Sequence, residues 1–406
     1  MAAPVGNALI GQSGGPTCVI NQSLVGIVEA GLASKQIKSV YGAVHGIKGV
    51  LEERLIDLGR ESKATLEAVA LTPCAALRSV RKKPTREECE RAMAVFKAHD
   101  VRYFFYIGGN DTAETAHLLN ELAVAQSHDM HVFHVPKTID NDLRVNDHCP
   151  GFPSAAKFVA SAMLGDNQDN RSLPGIKIDV IMGRNAGWLT ASSSLARRAE
   201  DDGPHLIYCP ERNFSIDAFI GDVDRVYKKL GRCLIAVSEG IHDANGKLIA
   251  ESKEVDSHGN TQLSGSGALG DQLAALIKQR LGDKLRVRAD TFGYLQRSFA
   301  GVMSEVDASE AREVGRTAVK IATSGEFPHG SIAILRESGA TYRARFERTE
   351  LKNVAKDTRP MEANLLRGDN DVAPAFLDYL RPLVGHLPDT ARLSDFPVAK
   401  RLSLAT

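Results

Sequence analysis

The chain has 406 residues, 43% of them hydrophobic and 25% charged, the balance of an ordinary folded protein, which excludes disordered, collagen-like and mucin-like classes. Lys plus Arg equals Asp plus Glu at 50 each, so no net field draws the molecule onto nucleic acid or an anionic membrane, and any anion site must be local. The length allows two domains at about 100–200 residues each. No run approaches the roughly 18 apolar residues of a membrane span, and Met1-Ala2-Ala3-Pro4 is not a basic region leading into an apolar one, so a cytoplasmic protein is expected.

The first element is a strand through Leu9-Ile10, followed by Gly11-Gln12-Ser13-Gly14-Gly15-Pro16-Thr17 and a helix from near Asn21. Glycines there let backbone N–H groups approach phosphate oxygens, and the helix start adds partial positive charge; a tight turn with no ligand has the same appearance. Val101 to Ile107 reads as a buried strand, because β-branched and aromatic residues fill a window too short for a helix. It runs into Gly108-Gly109-Asn110-Asp111-Thr112, after which Leu118, Leu119, Leu122 and Ala125 recur at helical spacing. His131 to Val135 is the next strand, ending in Pro136-Lys137-Thr138-Ile139-Asp140-Asn141-Asp142. That is much charge for a plain turn. Two carboxylates one residue apart can divide labour, one accepting a proton while the other faces a metal or orients the pocket.

Gly and Pro cluster at Pro150-Gly151-Phe152-Pro153, and a boundary is expected there. Further strands are read at Ile178 to Met182, His205 to Cys209, Leu234 to Val237 and Ile332 to Leu335. The first of these leads into Gly183-Arg184, whose guanidinium presents a fixed fork of donors to a phosphate. The third leads into Ser238-Glu239-Gly240, a carboxylate that can accept sugar hydroxyls. Gly265-Ser266-Gly267-Ala268-Leu269-Gly270 matches a dinucleotide pattern by letter but lacks a preceding buried strand, so helix entry and packing are expected there. Arg288, Tyr294 and Arg297 can hold a phosphomonoester at a non-reacting end of a substrate. After Thr341 strand signals weaken, and a peripheral extension with Pro-interrupted helices is expected. The six cysteines show no Cys-x-x-Cys spacing and read as reduced, buried thiols. Strand, Gly turn and helix repeat, which gives an α/β, largely parallel sheet with helices on both faces and ligands at the carboxyl ends of the strands.

In this order, from Leu9 to Arg297, the motifs resemble the phosphofructokinase family. The resemblance implies two doubly wound, mostly parallel α/β domains with the active site in the cleft between them. Residues 1–150, completed by part of 290–340, would bind the phosphoryl donor, 151–290 would bind fructose 6-phosphate, and 341–406 would form a helical extension. It implies transfer to the 1-hydroxyl of fructose 6-phosphate with Asp140 as general base, Thr138 and Asp142 supporting it, and Arg184 on the transferring group. Fructose 6-phosphate would meet Thr138, Asp140, Met182, Gly183, Arg184, Glu239, Tyr294 and Arg297, with Arg288 donated by a neighbouring subunit of a homodimer or homotetramer.

The family divides between ATP and pyrophosphate. Asp111 stands where ATP users commonly carry Gly, and a carboxylate ~4 Å from the α-phosphate costs on the order of 4 kcal/mol at an effective dielectric of 20. Pyrophosphate escapes that penalty. Lys137 can neutralise the compact donor, and the donor would also meet Gly14, Gly15, Arg81, Lys82 and Gly109. Ile47 falls where bacterial ATP users offer an aromatic ring to adenine. Asn110 replaces an acidic Mg²⁺ ligand by a neutral amide. The expectation is a pyrophosphate-dependent, Mg²⁺-requiring phosphotransferase, the alternatives being an ATP enzyme or an idle sugar-phosphate-binding subunit.

Overall fold

The computed structural model describes residues 3–250, 267–394 and 396. Eleven strands build two sheets: Gly6–Gln12 (β1), Ile37–Ala43 (β2), Leu55–Asp57 (β3), Val101–Gly108 (β4), His131–Pro136 (β5), Ile176–Ile181 (β6), Leu206–Tyr208 (β7), Cys233–Ser238 (β8), Val287–Thr291 (β9), His329–Arg336 (β10) and Ala344–Thr349 (β11). The first sheet runs β11-β10-β5-β4-β1-β2-β3 and the second β7-β8-β6-β9. From β10 to β2 all neighbours are parallel, with β3 and β11 antiparallel at the two edges. The second sheet is parallel throughout. This is the mixed, largely parallel α/β architecture that the strand, turn and helix pattern implies.

Alternation along the strands explains why both faces are covered. On one face of the first sheet Ile10, Phe105, Ile107 and Phe133 pack with Val25, Val28, Val314 and Ala318 from the helices Ile20–Ala33 and Glu305–Ala322. On the other, Leu9, Phe104, Tyr106 and Val132 meet Phe96 and Leu119. Those two helices approach closely because glycine stands at each contact. A Cβ at Gly26 would lie 2.1 Å from the Arg312 carbonyl oxygen, and one at Gly315 2.3 Å from that of Ser23.

The segment after Thr341 departs from the peripheral, helical expectation. It supplies the edge strand β11 and a helix, Pro374–Val384, whose Phe376, Leu380 and Leu383 are fully buried against Trp188 and Phe152. Pro374 occupies the first turn, where a missing N–H costs nothing. Proline there starts the helix rather than breaking it. Of the glycine-rich match, Gly265 and Ser266 lie outside the described residues. Gly267 precedes the helix Ala268–Leu281, and a Cβ at Gly270 would meet the Ala289 Cβ on β9 at 2.9 Å, which is packing. All six cysteines are free and five are buried, but Cys74 is exposed.

Candidate active site

Three strand ends of the first sheet and three of the second converge on a cavity of about 360 Å³. After β1, the Ser13-Gly14-Gly15 turn is pinned by hydrogen bonds: Ser13 N–H donates to the Ile107 carbonyl, Gly14 N–H to that of Val80, and the Ser79 hydroxyl to that of Gly14. Gly14 takes φ +77°, which favours glycine. The same bonds carry Val80, Arg81 and Lys82 to the cavity wall.

After β4, Gly109 precedes the helix Asn110–Ala125, which has no side-chain cap; the Thr112 N–H donates to the Gly109 carbonyl, and the N–H groups of Asn110 and Asp111 with the helix's partial positive charge are left to face an anion. A Cβ at Gly108 would lie 2.1 Å from the Thr112 hydroxyl, so glycine is required for the strand to pass that turn. Asn110, Asp111, Thr112 and Thr115 line the cavity, Asp111 with its side chain exposed. Beneath them His134, buried and with its pKa lowered to about 4 by burial, bridges the Gly108 carbonyl and the Ser331 hydroxyl. It is a neutral prop.

After β5, Lys137 N–H donates to the Gly108 carbonyl and its Nζ to the Gly15 carbonyl at 2.7 Å, so one residue ties three loops. The Thr138 hydroxyl donates to Asp142 Oδ1 at 3.5 Å and accepts the Asp140 N–H at 3.1 Å. From the second sheet come Met182, Arg184, Asn185 and Ala186 after β6, Glu239 after β8 and Tyr294 after β9. Gln296, buried, accepts the Met182 N–H and donates to the Gly293 carbonyl, joining two of these loops.

The electrostatics follow from burying many charges together. Burial raises the Asp140 pKa, while Lys137, Arg184, Arg297 and Arg81 oppose that rise. Asp142 is pushed up to about 7 by burial and then by Asp140. Lys137 is pushed down to about 8 by burial and then by Arg297. Two interacting carboxylates flanked by four cations are arranged to bind anions and to move one proton near neutral pH.

Of the residues singled out in the sequence, most line this cavity, but four stand apart. Arg297 lies just behind it, stacked on Tyr294 at 4.4 Å and close enough to Gly15 that a Cβ there would meet its Nη1 at 2.9 Å. Gly183, at φ +146°, shapes the turn from behind. Arg288 is paired with Asp169 at 2.7 Å and does not line the cavity. Ile47 is fully buried in the core and presents no face to a ligand. Lys82 reaches the wall while its Nζ pairs with Glu88 at 2.6 Å. Thr358, from the segment expected to be peripheral, lines the cavity, and nothing in its local pattern signals it.

The family model for phosphofructokinase matches residues 7–322, a span that contains every cavity loop described except the one bearing Thr358. The chain belongs to the phosphofructokinase family. A pyrophosphate–fructose 6-phosphate 1-phosphotransferase of Rhodospirillum rubrum is 51% identical over 404 residues, covering 98% of this chain and 99% of that protein. One from Xanthomonas campestris is 39% identical over 419 residues, with 98% of each covered. Among solved structures, a pyrophosphate-dependent phosphofructokinase from Nitrosospira multiformis superposes with a TM-score of 0.84 at 34% identity, covering 98% of this chain and 99% of that one. These phosphofructokinase relatives extend through the C-terminal region, beyond the matched family span.

Proposed function

We propose that this phosphofructokinase transfers a phosphoryl group from pyrophosphate to the 1-hydroxyl of fructose 6-phosphate, giving fructose 1,6-bisphosphate and phosphate, reversibly, in glycolysis and gluconeogenesis. The observation that carries the donor choice is the placement of Asp111 on the first turn of the helix Asn110–Ala125, facing the same cavity as buried Lys137. A carboxylate at that place penalises a longer polyphosphate, and a buried ammonium suits a compact one. The full-length relatives named for this activity support the same reading.

In the mechanism Asp140 accepts the proton of the attacking hydroxyl. Its raised pKa makes it a stronger base than an ordinary carboxylate, and the surrounding cations keep it ionised enough to act. Thr138 holds the loop by bonding Asp140 N–H and Asp142. Arg184 and Lys137 stabilise charge on the transferring group and the leaving phosphate, with Arg81, Gly14, Gly15 and Gly109 around the donor. Glu239 accepts sugar hydroxyls, while Met182, Tyr294 and Arg297 seat the sugar phosphate.

The residues present fit Mg²⁺ carried on the donor: an amide and a carboxylate, Asn110 and Asp111, line the cavity side by side, and Mg²⁺ commonly takes one or two protein oxygens plus phosphate and water. When bound, the ion would neutralise donor charge. Asn110 and Asp111 would hold it, and the Asn110 amide nitrogen is oriented by donation to the Lys356 carbonyl at 3.3 Å.

The proposal includes a donor-binding unit of residues 1–150 completed by part of 290–340, for which β10 pairing with β5 in the first sheet is support, and a sugar-phosphate unit of 151–290. It includes a cytoplasmic homodimer or homotetramer. Among the described residues no helix is long and apolar enough to cross a membrane. Arg288, outside its own chain's cavity, suits a contact with a neighbouring copy. Steady-state assays with fructose 6-phosphate and each donor test the reading; turnover with ATP and none with pyrophosphate would overturn it.

A further inference from the structure

We infer that the segment Thr358–Met361 is a strap that holds the two catalytic loops in register, with Arg359 and Glu211 as positioning residues for the reaction. The inference rests on the roles proposed above for Asp140, Asp142 and Arg184, and it adds a part of the chain that lies beyond the family model's match.

On one side the strap grips the carboxylate loop. Arg359 N–H donates to the Asp142 carbonyl at 2.7 Å, and Thr358 pairs with Leu143 in an isolated antiparallel bridge. The Arg359 guanidinium donates to three main-chain carbonyls of the same loop: Nη1 to Asn146 at 2.5 Å, Nη2 to Asp147 at 2.9 Å and to Asn141 at 3.3 Å. Asn141 sits at φ +56°, a conformation that needs support in a non-glycine residue. Its amide supplies more by donating to the Tyr379 hydroxyl and accepting the Cys149 N–H.

On the other side the strap grips the arginine loop. The Arg359 guanidinium lies over the Trp188 ring at 4.8 Å. Met361 N–H donates to Glu211 Oε1 at 3.0 Å, and the same oxygen accepts the Gly187 N–H at 2.8 Å. Gly187 and Trp188 follow Arg184-Asn185-Ala186 directly. Four consecutive residues therefore fasten the loop bearing the base to the loop bearing the phosphate-binding fork. Proton acceptance and charge stabilisation must act on one bond at one moment, and an error of about 1 Å in such a relation costs on the order of a hundredfold in rate.

Charge gives the strap a signature that mere packing lacks. Asp142 faces Asp140 and Lys137 from its own loop, the Thr138 hydroxyl, Cys149 and the Arg359 guanidinium, while Arg81, Arg184 and Arg297 act on Asp140. Arg359 favours the ionised form of Asp142. Removing its charge moves proton uptake by the carboxylate pair to higher pH.

The test compares Arg359→Met and Arg359→Lys with wild type in kcat, in KM for both substrates and in the pH profile of kcat. For Arg359→Met the expected result is a kcat loss of at least tenfold, KM values within about threefold, and an acid limb shifted to higher pH. Arg359→Lys should return the limb toward wild type without restoring kcat, because one ammonium cannot serve three carbonyls. A kcat within threefold of wild type, or lowered thermal stability with an unmoved pH profile, would overturn the inference. Should Arg359→Met fail to fold, Glu211→Ala and Glu211→Gln decide: the amide keeps an acceptor for Gly187 and Met361, so Gln should retain kcat within threefold while Ala loses at least tenfold. Equal activity of the two would overturn the inference. A wild-type protein that uses ATP alone would refute the donor reading, and the same variants assayed with ATP would still judge the strap.

Discussion

Lys137 Nζ donates to the Gly15 carbonyl oxygen at 2.7 Å, although the two residues lie 122 positions apart. The bond holds a buried ammonium against the glycine turn after β1, where burial and then the Arg297 charge lower its pKa to about 8. In the proposed function the charge is held ready before any donor arrives, which is how a binding site contributes to the transition state rather than to the ground state alone.

Lys137 should therefore set an alkaline limit. In the free enzyme kcat/KM for pyrophosphate should fall as pH rises through about 8, as the ammonium is lost. Lys137→Met should lower kcat/KM by on the order of a hundredfold or more, the range for removing one charge-stabilising donor, and should abolish that limb. A variant whose pH profile still fell near 8 would assign the limb to another group.

Asp140→Ala should reduce kcat by ~10²–10⁴ with little change in KM for fructose 6-phosphate, as expected when a general base is lost and binding is not. Rapid-quench or steady-state kinetics would show it. A loss below tenfold would reassign the base.

Asp142 makes an opposite contribution to stability. Its folded pKa of about 7 stands above its ordinary value, so between the two the native state binds more protons than the unfolded chain, and stability falls as pH rises through that window. Asp142→Asn removes the titration. Its melting temperature should match wild type near pH 4 and exceed it at pH 8, at the expense of activity. Equal melting curves at both pH values would contradict the assignment.

The C-terminal helix should behave as core. Phe376 is fully buried among Trp188 and Tyr379, so Phe376→Ala should cost about 3–5 kcal/mol in urea unfolding. A cost under about 1 kcal/mol would make that helix an appendage.

How much of this was legible in the sequence depended on period and composition. β4, β5, β6 and β8 announce themselves because both of their faces are buried, so each reads as an apolar run ending at Gly, Pro or a charged motif. The loops that follow line the cavity for the same topological reason. β9 and β11 give no such signal because Arg288, Asp290, Arg345 and Glu347 break the apolar run. The stretch Thr358–Met361 is silent in the sequence for a deeper reason. Its backbone is irregular, and its contacts go to main-chain carbonyls and N–H groups, which leave no mark on the identity of their partners. Burial of Phe376, Leu380 and Leu383 is visible in principle as spacing of four and three, but Pro382, inside the helix between Leu380 and Leu383, reads as an interruption.

The identity of the phosphoryl donor is read in one tube by ³¹P NMR of the purified protein with fructose 6-phosphate, Mg²⁺ and equimolar pyrophosphate and ATP. The pyrophosphate resonance should decay into those of phosphate and fructose 1,6-bisphosphate while the three ATP resonances hold their intensity. Growth of ADP resonances with pyrophosphate undiminished would contradict it.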